Sequence, residues 1–452
     1  MRRHSFKVFF IGLLLLARVQ AQPGSIDTTF VTQFDYTAGQ QVSTLHALPN
    51  GDILAGGNFI FSLIDGFKIG NFIKYDSSGK FNHKWNQGKG FDRFVRYIFP
   101  VEQDKLLIIG DFLKYHDTDC GRLARLNKDY SLDLTYKVPV YQSVISAGMQ
   151  SDGKIILRVF IAGNSALVRL KKDGNVDSTF KEMKPSNLVS LFIQSDDKIL
   201  VTGNVFPNGI MRLSKDGLTD ASFNPAAHTL TNLVTAAIQS DGKILIAGSD
   251  PAFKVKVVRL NINGSLDTTF KSISATDVGS TVTTIFIQKD QKVILGGRFV
   301  YEGKKKYNNI VRLNSDGTID TTFITGTGFS SFVNTIVPYG DDKILVGGNF
   351  TSYNGDLASR IIRLNLNEKP VLPAPKISQL LISPNPVHTR LNIESTDTIS
   401  TVIVTDALGR ETLKVSPQLN QFSIDMENLS SGLYFVKLKS ENETIIRKIL
   451  RN

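Results

Sequence analysis

A basic side chain recurs at Lys74, Arg125, Arg169, Arg212, Arg259, Arg312 and Arg363. A carboxylate recurs at Asp27, Asp133, Asp177, Asp220, Asp267 and Asp320. Two chemistries fit such spacing. The arginines would form a ring that binds an anion, or each would pair with a carboxylate inside its own repeat. An unpaired charge on a packed surface is costly, so the sequence favours the structural pair. The stretch Asn314 to Asp320 has the flavour of a calcium loop. It lacks the spaced acidic ligands and terminal Glu of that motif, so it reads as a turn.

Catalytic constellations are sparse. The six histidines, His4, His46, His83, His116, His228 and His388, form no His-x-x-x-His or His-Glu pair. There is no Gly-x-Ser-x-Gly, no P-loop and no dinucleotide fingerprint. Neither a metal nor a cofactor is expected. A carboxylate pair for polysaccharide cleavage would have to be assembled from distant segments. Cys120 stands alone, which excludes a disulfide framework, a Cys-based zinc site and an iron–sulfur cluster.

The elements that position these residues repeat. Over residues 24–367 three blocks each occur seven times, at a period of about 49 residues. The first reads Asp-Gly-Lys-Ile-Leu-Val-Gly-Gly, as around Asp152 and Asp342. The second reads Val-Arg-Leu-Asn-x-Asp-Gly. The third is Asp-x-Thr-Phe, degenerate at Asn82 to Trp85. The short apolar run suits a strand covered on both faces. Gly-Gly pairs mark bulges or close backbone approach, and Asn-x-Asp-Gly marks a turn. About four short strands per unit are expected, the content of a propeller blade. The seventh unit lacks a trailing Asp-x-Thr-Phe block, whereas Asp27 to Phe30 precedes the first unit. The N-terminal strand is therefore expected to close a seven-bladed β-propeller. These blocks resemble the delta-60 repeat family of exported Bacteroidetes proteins. The resemblance implies a propeller-like extracellular protein and no particular activity.

Residues 368–377 read as a Pro-rich linker. Beyond it the period vanishes. Strand-like runs at 390–394, 400–405, 411–415, 420–425, 432–439 and 444–450 suggest a small β-sandwich over 378–452. Three motifs in order include Pro384, Asn385 and Pro386, then Gly409, then Gly432. They resemble the type A sorting domain of the type IX secretion system. That resemblance implies recognition by the secretion machinery, removal by a sortase-like peptidase, and release or linkage to surface lipopolysaccharide.

Residues 1–21 read as a secretory signal peptide. A charged start at Arg2, Arg3 and Lys7 precedes an apolar run from Val8 to Ala17, and Val19-Gln20-Ala21 offers a cleavage site. No segment has the length and hydropathy of a transmembrane helix. Of the formal charge of +11 over 452 residues, the signal holds +4 and residues 378–452 balance to zero, leaving +7 on the body. No clustered basic tract marks a nucleic-acid groove.

The connection preceding each recurrent basic residue varies. It is long in units six, seven, one and two and short in units three to five. The long connections carry Phe61, Phe67, Tyr115, His116, Tyr301, Lys304, Lys305, Lys306, Tyr307 and Tyr353. On loops, these aromatic and basic side chains would contact an extracellular polymer such as a glycan. The expected product is thus a secreted or surface-held propeller acting as a binding module. A polysaccharide hydrolase or lyase with a site at the propeller centre and a purely structural envelope protein are the alternatives. Asp-Ser/Thr steps at Thr28, Ser178, Thr268 and Thr321 also resemble Bacteroidetes O-glycosylation acceptors.

Overall fold

The computed structural model describes residues 22–32, 40–62, 68–81, 88–161, 163–183, 188–203, 206–226, 230–271, 273–302, 306–367, 380–407, 409–440 and 444–452. The expected signal peptide and the linker 368–377 lie outside these residues. The chain divides into two compact units, Met1–Glu368 and Lys369–Asn452.

Within the first unit each repeat makes one antiparallel sheet. Sheet one contains Gln41–Ala47, Ile53–Ser62 and Lys68–Tyr75. Sheet two contains Val95–Val101, Lys105–Gly110 and Leu123–Leu126. Sheet three contains Ser143–Met149, Ile155–Ile161 and Asn164–Leu170. Sheet four contains Leu188–Ile193, Ile199–Gly203 and Ile210–Leu213. Sheet five contains Thr231–Ile238, Ile244–Ser249 and Lys254–Leu260, with Ile273–Val278 as a fourth strand. Sheet six contains Thr281–Ile287, Val293–Glu302 and Lys306–Leu313. Sheet seven contains Val333–Tyr339, Lys343–Gly348 and Ile361–Asn365.

The middle strand of each sheet is the continuous apolar run. It is covered on both faces, as Ile344 to Gly348 shows with every residue buried. Seven apolar clusters each draw on two consecutive sheets. Leu54 and Phe72 of sheet one pack with Val95 and Ile108 of sheet two. Leu345 and Ile361 of sheet seven pack with Val42, Leu45 and Ile53 of sheet one. The Gly-Gly reading holds at the first strands. In sheets one and six the register shifts between Val42 and Thr44 and between Val282 and Thr284. A Cβ on Gly57 or Gly297 would stand 2.1 Å from the carbonyl oxygen of Gln41 or Thr281. Only glycine tolerates that approach.

The expectation of four strands per unit needs correction. Among the described residues six sheets have three strands, and the Asp-x-Thr-Phe block is a turn whose preceding residue meets the sheet through one bridge, such as Leu170 to Val176. The Asp side chain is the cause. Asp177 Oδ1 accepts from the Thr179 amide and hydroxyl, and Phe180 N–H donates to the Asp177 carbonyl. The backbone is thereby curled away from the extended state.

In the second unit the strands join one hydrogen-bonded network of six. The runs expected at 390–394 and 400–405 are parts of a single strand, Arg390–Asp406. Its first part pairs with Leu381–Ser383 and Leu419–Asp425. Its last part pairs with Glu411–Val415 and Gly432–Ser440, and Thr444–Arg451 forms the far edge. Leu391, Ile393, Val402, Val404, Val436 and Leu438 form the centre of its core.

Candidate functional site

The recurrent charges meet in one arrangement. Arg169 Nε donates to Asp177 Oδ2 at 2.9 Å, and Lys154 Nζ lies 3.1 Å from the same oxygen. The equivalent groups are Lys105, Arg125 and Asp133; Lys198, Arg212 and Asp220; Lys243, Arg259 and Asp267; and Lys292, Arg312 and Asp320. Lys343, Arg363 and Asp27 complete the set. Each guanidinium stacks over the aromatic ring that closes its turn, as Arg312 over Phe323 at 4.7 Å. Its Nη1 then donates to a carbonyl of the next unit: Arg169 to Lys215, Arg312 to Leu366, Arg363 to Ser77. The arginines are therefore consumed in joining sheets, and they do not form an anion-binding ring.

The carboxylates respond accordingly. Burial alone would raise the Asp320 pKa, but Lys292, the Thr322 hydroxyl and amide, and Arg312 together lower it to about 2. Asp177 is held well below the usual carboxylate range, first by the Thr179 hydroxyl, against burial, and then by Lys154 and Arg169.

The first unit departs from this pattern. Asp52 occupies the position of the recurrent lysine, Lys74 that of the arginine, and Asn82 that of the carboxylate. Lys74 Nζ lies 2.7 Å from Asp52 Oδ2, so a swapped pair replaces the three-member group.

The long connections are hairpins as much as loops. In sheets one and six they extend the ladder, with Tyr301 opposite Tyr307 and Glu302 opposite Lys306. In sheets two and seven they form two-residue ladders, Lys114–Tyr115 with Thr118–Asp119 and Ser352–Tyr353 with Asp356–Leu357. Tyr115, Tyr307 and Tyr353 are buried, which corrects their expected presentation on loops. Tyr115 packs at a tilt against Phe91, 4.6 Å between ring centres, and its hydroxyl donates to the Tyr130 carbonyl. Tyr353 lies 4.5 Å from Phe329 and its hydroxyl donates to the Gly24 carbonyl. Both rings close the seam to a neighbouring segment. His116 is half-buried, and its Nδ1 accepts from the Gly90 amide. Burial lowers its pKa against the opposing charge of Asp117. Tyr301 is half-buried and Lys306 exposed. Phe67, Lys304 and Lys305 lie outside the described residues, as does the side chain of Phe61.

Other candidates resolve locally. Asp316 Oδ1 accepts from the Thr318 amide and hydroxyl, so the calcium-like stretch is an Asx turn. Among the described residues, no group of three or more His, Cys, Asp or Glu is placed to hold a metal. The Cys120 thiol is pushed up to about 12, first by burial and then by Asp92 and Asp119, as expected of a packed residue. Thr28, Ser178, Thr268 and Thr321 are exposed on their turns. A cavity between sheets two and three, beside Val101 and Arg125, was not legible as a site, because it depends on what faces these residues across the seam.

In the second unit Asn385 bridges to the last strand. Its amide donates to the Lys448 carbonyl, and its carbonyl accepts from the Leu450 amide. Gly409 takes a left-handed φ of 81° in the turn that returns its N–H to the Asp406 carbonyl. Gly432 opens the strand Gly432–Ser440. Among the described residues no helix is long and apolar enough to cross a membrane.

Comparison with known proteins agrees with this geometry. Residues 381–452 match the family described as secretion system C-terminal sorting domain. Segments 104–136, 150–180, 194–223, 239–270, 288–323 and 340–367 match the domain of unknown function DUF5122 beta-propeller. The first unit, with its swapped pair, lies outside those segments. No curated protein sequence matches the chain. Among solved structures, the extracellular domain of the two-component system BT4673 from B. thetaiotaomicron is 11% identical, with a TM-score of 0.51, over 96% of this chain and 60% of that one. PorZ, a surface component of the type IX secretion system of Porphyromonas gingivalis, is 12% identical over 94% of this chain and 61% of that one, at a TM-score of 0.42. Virginiamycin B lyase from Staphylococcus aureus is 12% identical over 74% and 98%, at 0.45. The chain spans about 60% of the length of the first two structures. This all-β chain carries DUF5122-type propeller repeats and ends in a C-terminal sorting domain that takes it through the type IX secretion system to the cell surface or beyond.

Proposed function

We propose that the seven sheets form one closed seven-bladed propeller, delivered outside the cell as a binding module for an extracellular polymer such as a glycan. The observation that carries the binding reading is the confinement, among the described residues, of extended hairpins to sheets six, seven, one and two. Those sheets are consecutive once sheet seven packs on sheet one. The charged groups common to the units join neighbouring sheets, and this one-sided elaboration sets four consecutive sheets apart from the other three. Exposed Lys306 and half-buried Tyr301 sit on it. Aromatic faces stack on sugar rings, and the basic body favours acidic polymers.

Residues 378–452 act as the sorting tag in this reading. A sortase-like peptidase removes the tag in the linker 368–377 and leaves the propeller free or joined to lipopolysaccharide. A glycan array probed with the exported protein tests the binding reading. Acidic glycans are expected among the hits, and the combined change Tyr301→Ala, Lys305→Ala and Lys306→Ala is expected to remove them. An array without hits sinks the binding reading and leaves the export reading standing.

A further inference from the structure

The seam between sheets two and three holds an open cavity of about 380 Å³. One position sets this seam apart from those that follow sheets three to seven. In sheets three to six the residue after the first strand is Gln150, Gln194, Gln239 or Gln288, and each amide N–H donates to the carbonyl of the recurrent lysine. These glutamines are buried. Gln150 Nε2 donates across the seam to the carbonyls of Asp197 and Lys215. In sheet seven Tyr339 holds the position, and its hydroxyl donates to the Gly51 carbonyl of sheet one. In sheet two the position is Val101, paired with Lys105. Valine is shorter than either filler and offers no hydrogen bond, so the seam stays open.

The opening exposes a cation. The Arg125 side chain is 19% exposed, against 2% to 8% for the arginines of the equivalent pairs. Arg125 donates Nε to Asp133 and Nη1 to the Lys172 carbonyl. In the equivalent groups Nη2 donates to a turn hydroxyl, such as Thr179 or Thr322. Among the described residues Nη2 of Arg125 has no such partner. Lys105 shares the Asp133 carboxylate, so two cations face one anion. Val101, Leu107, Met149 and Ile155 supply an apolar wall, and the exposed Glu102–Lys172 pair stands among the lining residues.

We propose that this seam cavity binds a small organic carboxylate, its acid group on Arg125 Nη2 and Lys105 and its body against the apolar wall. A charged N–H donor from Arg125 Nη2 and the ammonium of Lys105 favour an ionised acid over a neutral isostere. The site lies at the end of the sheets away from the extended hairpins, and it is independent of the polymer-binding reading.

Titration calorimetry on the chain from Gln22 to Asn452 tests it, with phenylacetate and galacturonate as probes and phenylacetamide as the uncharged control. At least one acid is expected to bind at millimolar or lower concentration, and the amide is not. Phenylacetate alone identifies an apolar-bodied acid, and galacturonate alone a sugar acid. Val101→Gln, which installs the residue of four other sheets, is expected to weaken binding at least tenfold without lowering the melting temperature. Arg125→Lys is expected to weaken it while keeping the pair with Asp133. The proposal is overturned if neither acid binds, if the amide binds equally, or if Val101→Gln binds like the parent.

Discussion

Arg363 Nε donates to Asp27 Oδ2 at 2.8 Å across 336 residues of chain. Both side chains are buried, at 4% and 8% exposed. The same arginine reaches the Ser77 carbonyl of sheet one. One residue near the end of the repeats therefore ties the N-terminal turn and the first sheet to the seventh. Removing one partner of a buried pair strands the other. Asp27→Ala is expected to cost about 3–5 kcal/mol in urea unfolding. A loss below about 1 kcal/mol would show that closure does not depend on this contact.

Acid should unfold the repeats through their carboxylates. Asp27, Asp133, Asp177, Asp220 and Asp267 sit below the usual carboxylate range, and Asp320 is lowered to about 2. The unfolded chain binds these protons more tightly than the folded one. The stabilisation is therefore complete above the unfolded carboxylate pKa of about 4 and is lost as pH falls through it toward 2. Melting temperature should be nearly level from pH 7 to 5 and drop steeply below 4. A level profile down to pH 2 would contradict the assignment.

The swapped pair of sheet one makes a charge-reversal prediction. Asp52→Lys sets two ammonium groups together where Lys74 now meets Asp52 at 2.7 Å. The change is expected to cost about 1–3 kcal/mol. Adding Asn82→Asp restores the three-member group of the other units and should recover most of that loss. Asn82 lies outside the described residues, so the recovery rests on its place in the repeat. A double-mutant cycle measures the coupling, and strictly additive effects would refute it.

Asn385 holds the last strand through two backbone contacts, at 3.1 Å to Lys448 and 2.9 Å to Leu450. Asn385→Ala is expected to cost about 1–2 kcal/mol in the tail. A reporter carrying a signal peptide and residues 378–452 should be exported by a host with the type IX machinery. The same fusion with Asn385→Ala should accumulate in the periplasm. Unchanged export would show that the machinery does not require this clamp.

The middle strands and the Arg–Asp partnership were legible in the sequence. Both depend on residues a few positions apart and recur often enough for the pattern to exceed local noise. The tail was legible because its motifs mark turns and a strand start, whose chemistry is local. The sequence leaves the Asp-x-Thr-Phe block open between strand and turn, since its apolar and β-branched residues suit either state. The Asp177 carboxylate, by accepting from Thr179, decides for the turn. What only the tertiary structure decided lies across seams. Tyr115 and Tyr353 look like loop aromatics until Phe91 and Phe329 are brought against them from outside their own hairpins. Val101 looks like an ordinary strand residue until Arg125 and sheet three border the space it fails to fill. A repeat specifies its own sheet through short-range pattern. The surface between two repeats depends on side chains some fifty residues apart, and no single window of the sequence contains both.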